Sequence, residues 1–157
     1  MTLSRRTIYS IGTGGRSWEI FTQILQEQEI QVVADVRSRP SSKIVHFKGD
    51  SLSKGLGEIG IERIFLGKEL GGYRRGGYLN HTKSELFTKG MERLESLATA
   101  KRCAFLCAET LPWKCHRWHI SNELTARGWD VVHLIRADQA MRHKEIPQEG
   151  RLWTNEI

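Results

Sequence analysis

The stretch Lys101–Trp118, KRCAFLCAETLPWKCHRW, decides how this chain is read. It opens as an apolar run, Arg102 to Cys107, with the length of a buried strand. It breaks into a loop at Leu111-Pro112 and turns helical from about Lys114 to Arg127, where Gly128 stops it. Strand, short loop, helix is one half of a parallel βαβ unit, which calls for the same alternation elsewhere in the chain.

The alternation is there. Thr7 to Ile11 is a short strand, followed by the loop Gly12-Thr-Gly-Gly-Arg16. Ser17 then caps a helix with Ile20, Phe21, Ile24 and Leu25 on one face. Ile30 to Val36 is a valine-rich buried strand that ends before Pro40, which cannot join a ladder. Ser51 or Asp50 caps a short helix carrying Leu52, Leu56 and Ile59, stopped by Gly60. Ile61 to Leu66 is a third strand, leaving into the long glycine-rich loop GKELGGYRRGGY. Lys83 to Ala100 is the clearest helix, with Leu86, Phe87, Met91, Leu94 and Leu97 on one stripe. Arg102 to Cys107 is the fourth strand and Trp129 to Ile135 the fifth. The expected fold is α/β: a single three-layer domain over residues 1–136, with a mostly parallel five-stranded sheet and helices on both faces, Rossmann-like. Residues 137–157 read as a polar C-terminal tail with no assigned fold.

Composition narrows the class. With 39% hydrophobic and 27% charged residues the chain is an ordinary globular one, which excludes disorder. A net charge of +6 favours anionic partners: a small anion or nucleotide, with nucleic acid as an alternative. Three cysteines are too few for a disulfide scaffold, so a reducing, cytoplasmic setting is expected. MTLSRRTIYS has arginines but no apolar core after them, so no signal peptide is expected. No run of eighteen apolar residues exists, so no membrane partner is expected.

In an open parallel sheet the ligand lies beyond the carboxyl ends of the strands. The loops at that rim carry the chemistry: Gly12 and Arg16 after the first strand, Asp35 and Arg37 at the second, Glu69 with Tyr73, Arg74 and Arg75 after the third. After the fourth come Cys107, Glu109, Cys115, His116 and Arg117. Gly12, Arg16, Asp35, Arg37, Glu69 and Arg117 are the candidate ligand-binding residues, because helix amides and arginines suit a phosphate-bearing group. Each has a plain structural alternative, such as a tight turn at GTGGR or a salt bridge between Asp35 and Arg37. The nicotinamide fingerprint fails at Ser17, where GxGxxG needs glycine, so no cofactor is assigned. Cys115, Cys107, Glu109 and His116 are the candidate catalytic residues. Cys115 stands at a helix start beside His116 and Arg117, a setting that lowers a thiol's pKa, and Cys107 at the strand end is the rival nucleophile. Metal is not assigned: the usual paired-ligand spacing is absent, and adjacent Cys115 and His116 point in different directions. Cys103, inside the strand, reads as a buried core thiol.

Four ordered motifs, IYSIGTGGRS, VVADVRSRP, FLGKELGG and CAETLPWKCHR, resemble the domain-of-unknown-function family numbered 488. The likeness runs over roughly residues 7 to 135, and the CAE-to-CHR run is its most diagnostic part. The resemblance implies a small α/β protein and supplies no activity. The family's first loop commonly has a Gly-His-Ser-Asn-Arg-Ser form; here Thr13, Gly14 and Gly15 stand at its three middle positions, while Arg16 and Ser17 match. The DVR pattern at the second strand is also similar to rhodanese-type sulfurtransferases, at the level of fold.

Three functional expectations follow: an enzyme or binding protein for an anionic, nucleotide-like ligand; a thiol-dependent enzyme, sulfur-transferring or redox, using Cys115 or Cys107; or a nucleic-acid-binding module using Arg74 and Arg75. In the first two, Arg16, Asp35, Arg37, Glu109, Cys115 and Arg117 line one cleft, with the first and fourth strands side by side at the centre of the sheet.

Overall fold

A computed structural model describes residues 6–40 and 44–143 of the chain. The beginning of the expected N-terminal segment and residues 144–157 of the expected tail lie outside the described residues. The strands are β1 (Thr7–Gly12), β2 (Val32–Asp35), β3 (Glu62–Phe65), β4 (Cys103–Cys107), β5 (Asp130–Arg136) and β6 (Gln139–Arg142). The main helices are α1 (Trp18–Glu27), α2 (Gly49–Glu58), α5 (Glu85–Ala100) and α6 (Arg117–Ala126), with the one-turn helices α3 (Gly67–Leu70) and α4 (Tyr78–His81) between β3 and α5.

The sheet has six strands in the order β3-β2-β4-β1-β5-β6. β1 to β5 run parallel, and β4 pairs with β1 at the centre, Gly12 opposite Cys107. The expected five-stranded sheet thus gains a sixth, antiparallel edge strand, β6, which pairs with β5 from Val132–Arg142 to Arg136–Gln139. Its sequence, QAMR, lies at the start of the stretch to which no fold was assigned, because a four-residue polar edge strand carries no alternation of its own.

Apolar side chains cover both faces. Ile8, Val32, Ala34, Phe105 and Val131 pack under α5 and α6 with Phe87, Met91, Leu94, Ile120 and Leu124. Ile11, Val33, Ala104 and Leu134 pack under α1 and α2 with Phe21, Ile24, Leu52 and Leu56. Strand residues alternate between the two clusters, as a sheet buried on both faces requires.

Several local expectations change. Ile20 is 48% exposed, so the buried face of α1 is Phe21, Ile24 and Leu25. α2 begins earlier than either expected cap, with Lys48 at the N-cap and no side-chain capping bond. The glycine-rich loop is interrupted by α3 and α4. Arg74 ties its middle down, donating to the carbonyls of Gly67, Lys68 and Gly71.

Candidate active site at the ends of β1 and β4

The centre is built where β4 ends and α6 begins. Cys107 closes β4 with its side chain buried, and the turn through Pro112 brings Cys115 back to it. The two sulfurs stand 3.0 Å apart, within hydrogen-bonding distance. Cys115 Sγ also accepts from the first amide of α6, Arg117 N, at 3.4 Å and from Arg117 Nε at 3.4 Å. One sulfur therefore faces a thiol, a helix amide and a guanidinium.

Arg117 is fully buried, an unusual place for a cation. Its remaining donors go to Ser10 Oγ at 3.0 Å and to the Glu109 and Thr110 carbonyls. Among the described residues no carboxylate pairs with it. A buried cation needs a counter-charge, and the sulfurs provide one. Burial works against the charge on Arg117, but Cys107 and Cys115 outweigh it and raise its pKa.

The two thiols are pushed apart. Burial drives Cys107 up, and its hydrogen bond to Cys115 adds to the shift, so it holds its proton. Burial also opposes ionisation of Cys115, yet the Cys107 hydrogen bond and the Arg117 charge prevail and hold it well below the ordinary thiol range. The shifts run in opposite directions, so the partly exposed Cys115 is the more readily ionised thiol and the buried Cys107 the less. Cys103 is buried inside β4, and burial pushes its thiol up to about 12.

His116 is the N-cap residue of α6, and its Nε2–H donates to the Val36 carbonyl at 2.8 Å. That bond ties the thiol turn to the end of β2. Burial lowers the pKa of His116 more than its neighbours raise it, and after Cys107 and Arg117 its charge is a further cause that lowers Cys115. Glu109 contributes its backbone: its carbonyl accepts from Arg117 Nη2, while its side-chain position is exposed.

The other expected ligand residues are held by the protein itself. Arg16 donates to the carbonyls of Gly12 at 2.9 Å and Ile135 at 2.7 Å, clamping the first loop to the end of β5. Burial first, and then the Arg117 charge, lowers its pKa. Asp35 accepts from Arg37 N, Nε and Nη2 and from Arg63 Nε, a buried cluster at the end of β2. Arg37 spends its last contact on the Phe47 carbonyl. Glu69 meets Arg93 at 3.5 Å and accepts at its carbonyl from His81. Gly12 serves packing: a Cβ there would sit 1.7 Å from the Glu109 carbonyl oxygen. Cys107, Cys115 and Arg117 thus come together in one buried cluster, and Asp35, Arg37 and Glu69 make their contacts elsewhere along the rim.

Arg63, Ser10, His133, His143 and Asn122 were not among the candidates. Ser10 and His133 are single polar residues inside the buried strands TIYSIG and DVVHLIR, and they face each other across the β1–β5 register. A polar residue at the middle of a buried strand was the available signal.

Residues 17–124 match the model of a family described as "Domain of unknown function DUF488". No curated protein and no solved structure matches the chain. No helix among the described residues is long and apolar enough to cross a membrane.

Proposed function

We propose that this chain, which belongs to the DUF488 family, is a thiol-dependent redox enzyme with Cys115 as nucleophile and Cys107 as resolving thiol. The observation that carries this reading is the convergence of Cys107 Sγ, Arg117 N and Arg117 Nε on Cys115 Sγ. Opposed thiol pKa values next to a buried arginine suit attack by one sulfur and resolution by the other.

The substrate class is a small disulfide, and the net charge of +6 favours an anionic one. Cys115 thiolate attacks one substrate sulfur; the substrate S–S bond breaks and the departing thiolate takes a proton from solvent. Cys107 then gives up its proton and attacks Cys115 Sγ, displacing the second substrate sulfur as a thiol. Closing the pair moves the sulfurs together by only ~1 Å, from 3.0 Å to bonding distance. The protein dithiol loses two electrons and two protons, and the substrate disulfide becomes two thiols. A low-molecular-weight dithiol restores the reduced protein.

The test is reaction with a chromogenic aromatic disulfide. The intact chain releases two thiolates and ends with a Cys107–Cys115 disulfide; Cys107→Ser releases one and keeps a mixed disulfide on Cys115. If Cys115→Ser reacts like the intact chain, the reading is wrong.

A nucleic-acid-binding role is the second reading, favoured by Tyr73, 99% exposed beside exposed Arg75. An aromatic next to arginine suits base stacking and phosphate contact. Binding to labelled single strands that weakens steeply with salt supports it; on duplex DNA the slope is about −0.9 per phosphate contact.

A further inference from the structure

Arg117 connects the thiol pair to a second line of polar side chains. Its Nη1 lies 3.0 Å from Ser10 Oγ, which lies 2.5 Å from His133 Nδ1. His133 Nε2 lies 3.0 Å from His143 Nδ1, and His143 Nε2 lies 2.6 Å from Asn122 Oδ1. Arg117, Ser10 and His133 are fully buried and His143 nearly so, while Asn122 stands at an exposed position on α6. The line runs from the sulfur through the core to the surface.

Its protons have a definite order. Asn122 Oδ1 can only accept, so His143 carries its proton on Nε2 and leaves Nδ1 bare. His133 must then donate from Nε2, which leaves its own Nδ1 to accept from the Ser10 hydroxyl. Arginine has no acceptor, so Ser10 accepts from Arg117. In this order every link has one donor and one acceptor, with a single proton on each ring. The charged and titratable groups facing His133 are Arg117 and His143, and both disfavour a charge on it, as burial does. A proton on His143 Nδ1 would instead reverse the order, moving the His133 proton to Nδ1 and making Ser10 accept from both His133 and Arg117.

The fold does not ask for this line. Ser10 and His133 hold facing positions on two buried strands, where apolar side chains would pack without the desolvation cost of polar ones. We infer that Ser10, His133, His143 and Asn122 are positioning residues that hold the Arg117 guanidinium with its Nε directed at Cys115. This rests on Cys115 being the reactive thiol. The line fixes which way Arg117 faces; its donor order leaves Ser10 with a lone pair for the guanidinium, so the cation stays oriented although no carboxylate among the described residues holds it.

Two measurements on the full chain test it. Long-range proton–nitrogen NMR of the imidazoles, from about pH 6 to 8, should show His133 and His143 neutral, with protons on Nε2 and bare Nδ1. The pH profile of Cys115 alkylation should shift upward by about one unit in Ser10→Ala, a roughly tenfold loss of thiolate at fixed pH. Ser10→Thr, which keeps the hydroxyl, should return most of the shift. Asn122→Ala, at the exposed end, should move the profile in the same direction by less, and it decides the matter if Ser10→Ala does not fold. An Nδ1–H tautomer at His133, or an unshifted profile in folded Ser10→Ala, overturns the positioning role. An intact chain whose Cys115 shows no early alkylation sinks the thiol reading and this role with it, and the ring tautomers tell the two failures apart.

Discussion

Arg117 Nε points at Cys115 Sγ from 3.4 Å inside a fully buried environment, and the charge on that guanidinium has no carboxylate partner among the described residues. A cation held in this way stabilises whichever neighbour can become an anion, and Cys115 is the neighbour that also receives a helix amide.

Replacing Arg117 by Gln should raise the pKa of Cys115 and slow its alkylation at neutral pH by roughly tenfold or more, since an opposite charge at this range is worth about one to three pKa units. Arg117→Lys keeps the charge but loses the fork that reaches Ser10, Glu109 and Thr110, so an intermediate rate is expected. The rate of iodoacetamide incorporation across pH reports both.

Acid should destabilise the fold through His133. Burial, then Arg117 and His143, hold its folded pKa well below the ordinary 6.5. The unfolded chain therefore binds a proton that the folded chain refuses. The stability is fully present above about pH 6.5 and drains as pH falls toward the folded value, by at most about 1.4 kcal/mol per pH unit. Cys115 shifts in the same sense from a higher starting point, its contribution being lost as pH falls through its own lowered pKa. Thermal unfolding between about pH 7.5 and 5 should show a falling midpoint, and His133→Asn should flatten the curve.

The alternating architecture was legible because valine- and isoleucine-rich runs such as Ile30–Val36 are separated by capped, striped helices. The central pairing of β1 and β4 was legible because the richest loops follow those strands. β6 was not, since QAMR has neither apolar alternation nor β-branched residues. The pairing of Cys115 with Arg117 could be read from a local turn. What could not be read is where long side chains go: Arg16 and Arg37 look like anion ligands in sequence, and only tertiary structure supplies the Ile135 and Phe47 carbonyls that occupy them. The Ser10–His133 contact spans 123 positions, beyond any local pattern.

The Asp35 cluster should prove structural. Asp35→Asn leaves the buried Arg37 and the partly buried Arg63 around a neutral amide, which should cost about 3–5 kcal/mol in urea unfolding. If the variant folds with intact stability, the cluster does not hold the end of β2.

Gly12→Ala should disturb both fold and thiol centre. The added Cβ would need the space of the Glu109 carbonyl, an acceptor for Arg117 Nη2, so the loop after β4 must move. A lowered melting midpoint together with slower Cys115 alkylation is expected, with a loss on the order of 2 kcal/mol or more.

The most direct test of Cys115 as the stabilised thiolate is the pH dependence of iodoacetamide alkylation, with mass spectrometry locating the label. Cys115 should label first, with a midpoint well below the free-thiol value of about 8.5, while Cys103 and Cys107 stay unlabelled. Labelling of Cys107 ahead of Cys115, or no reaction at any of the three below about pH 8, would contradict the account.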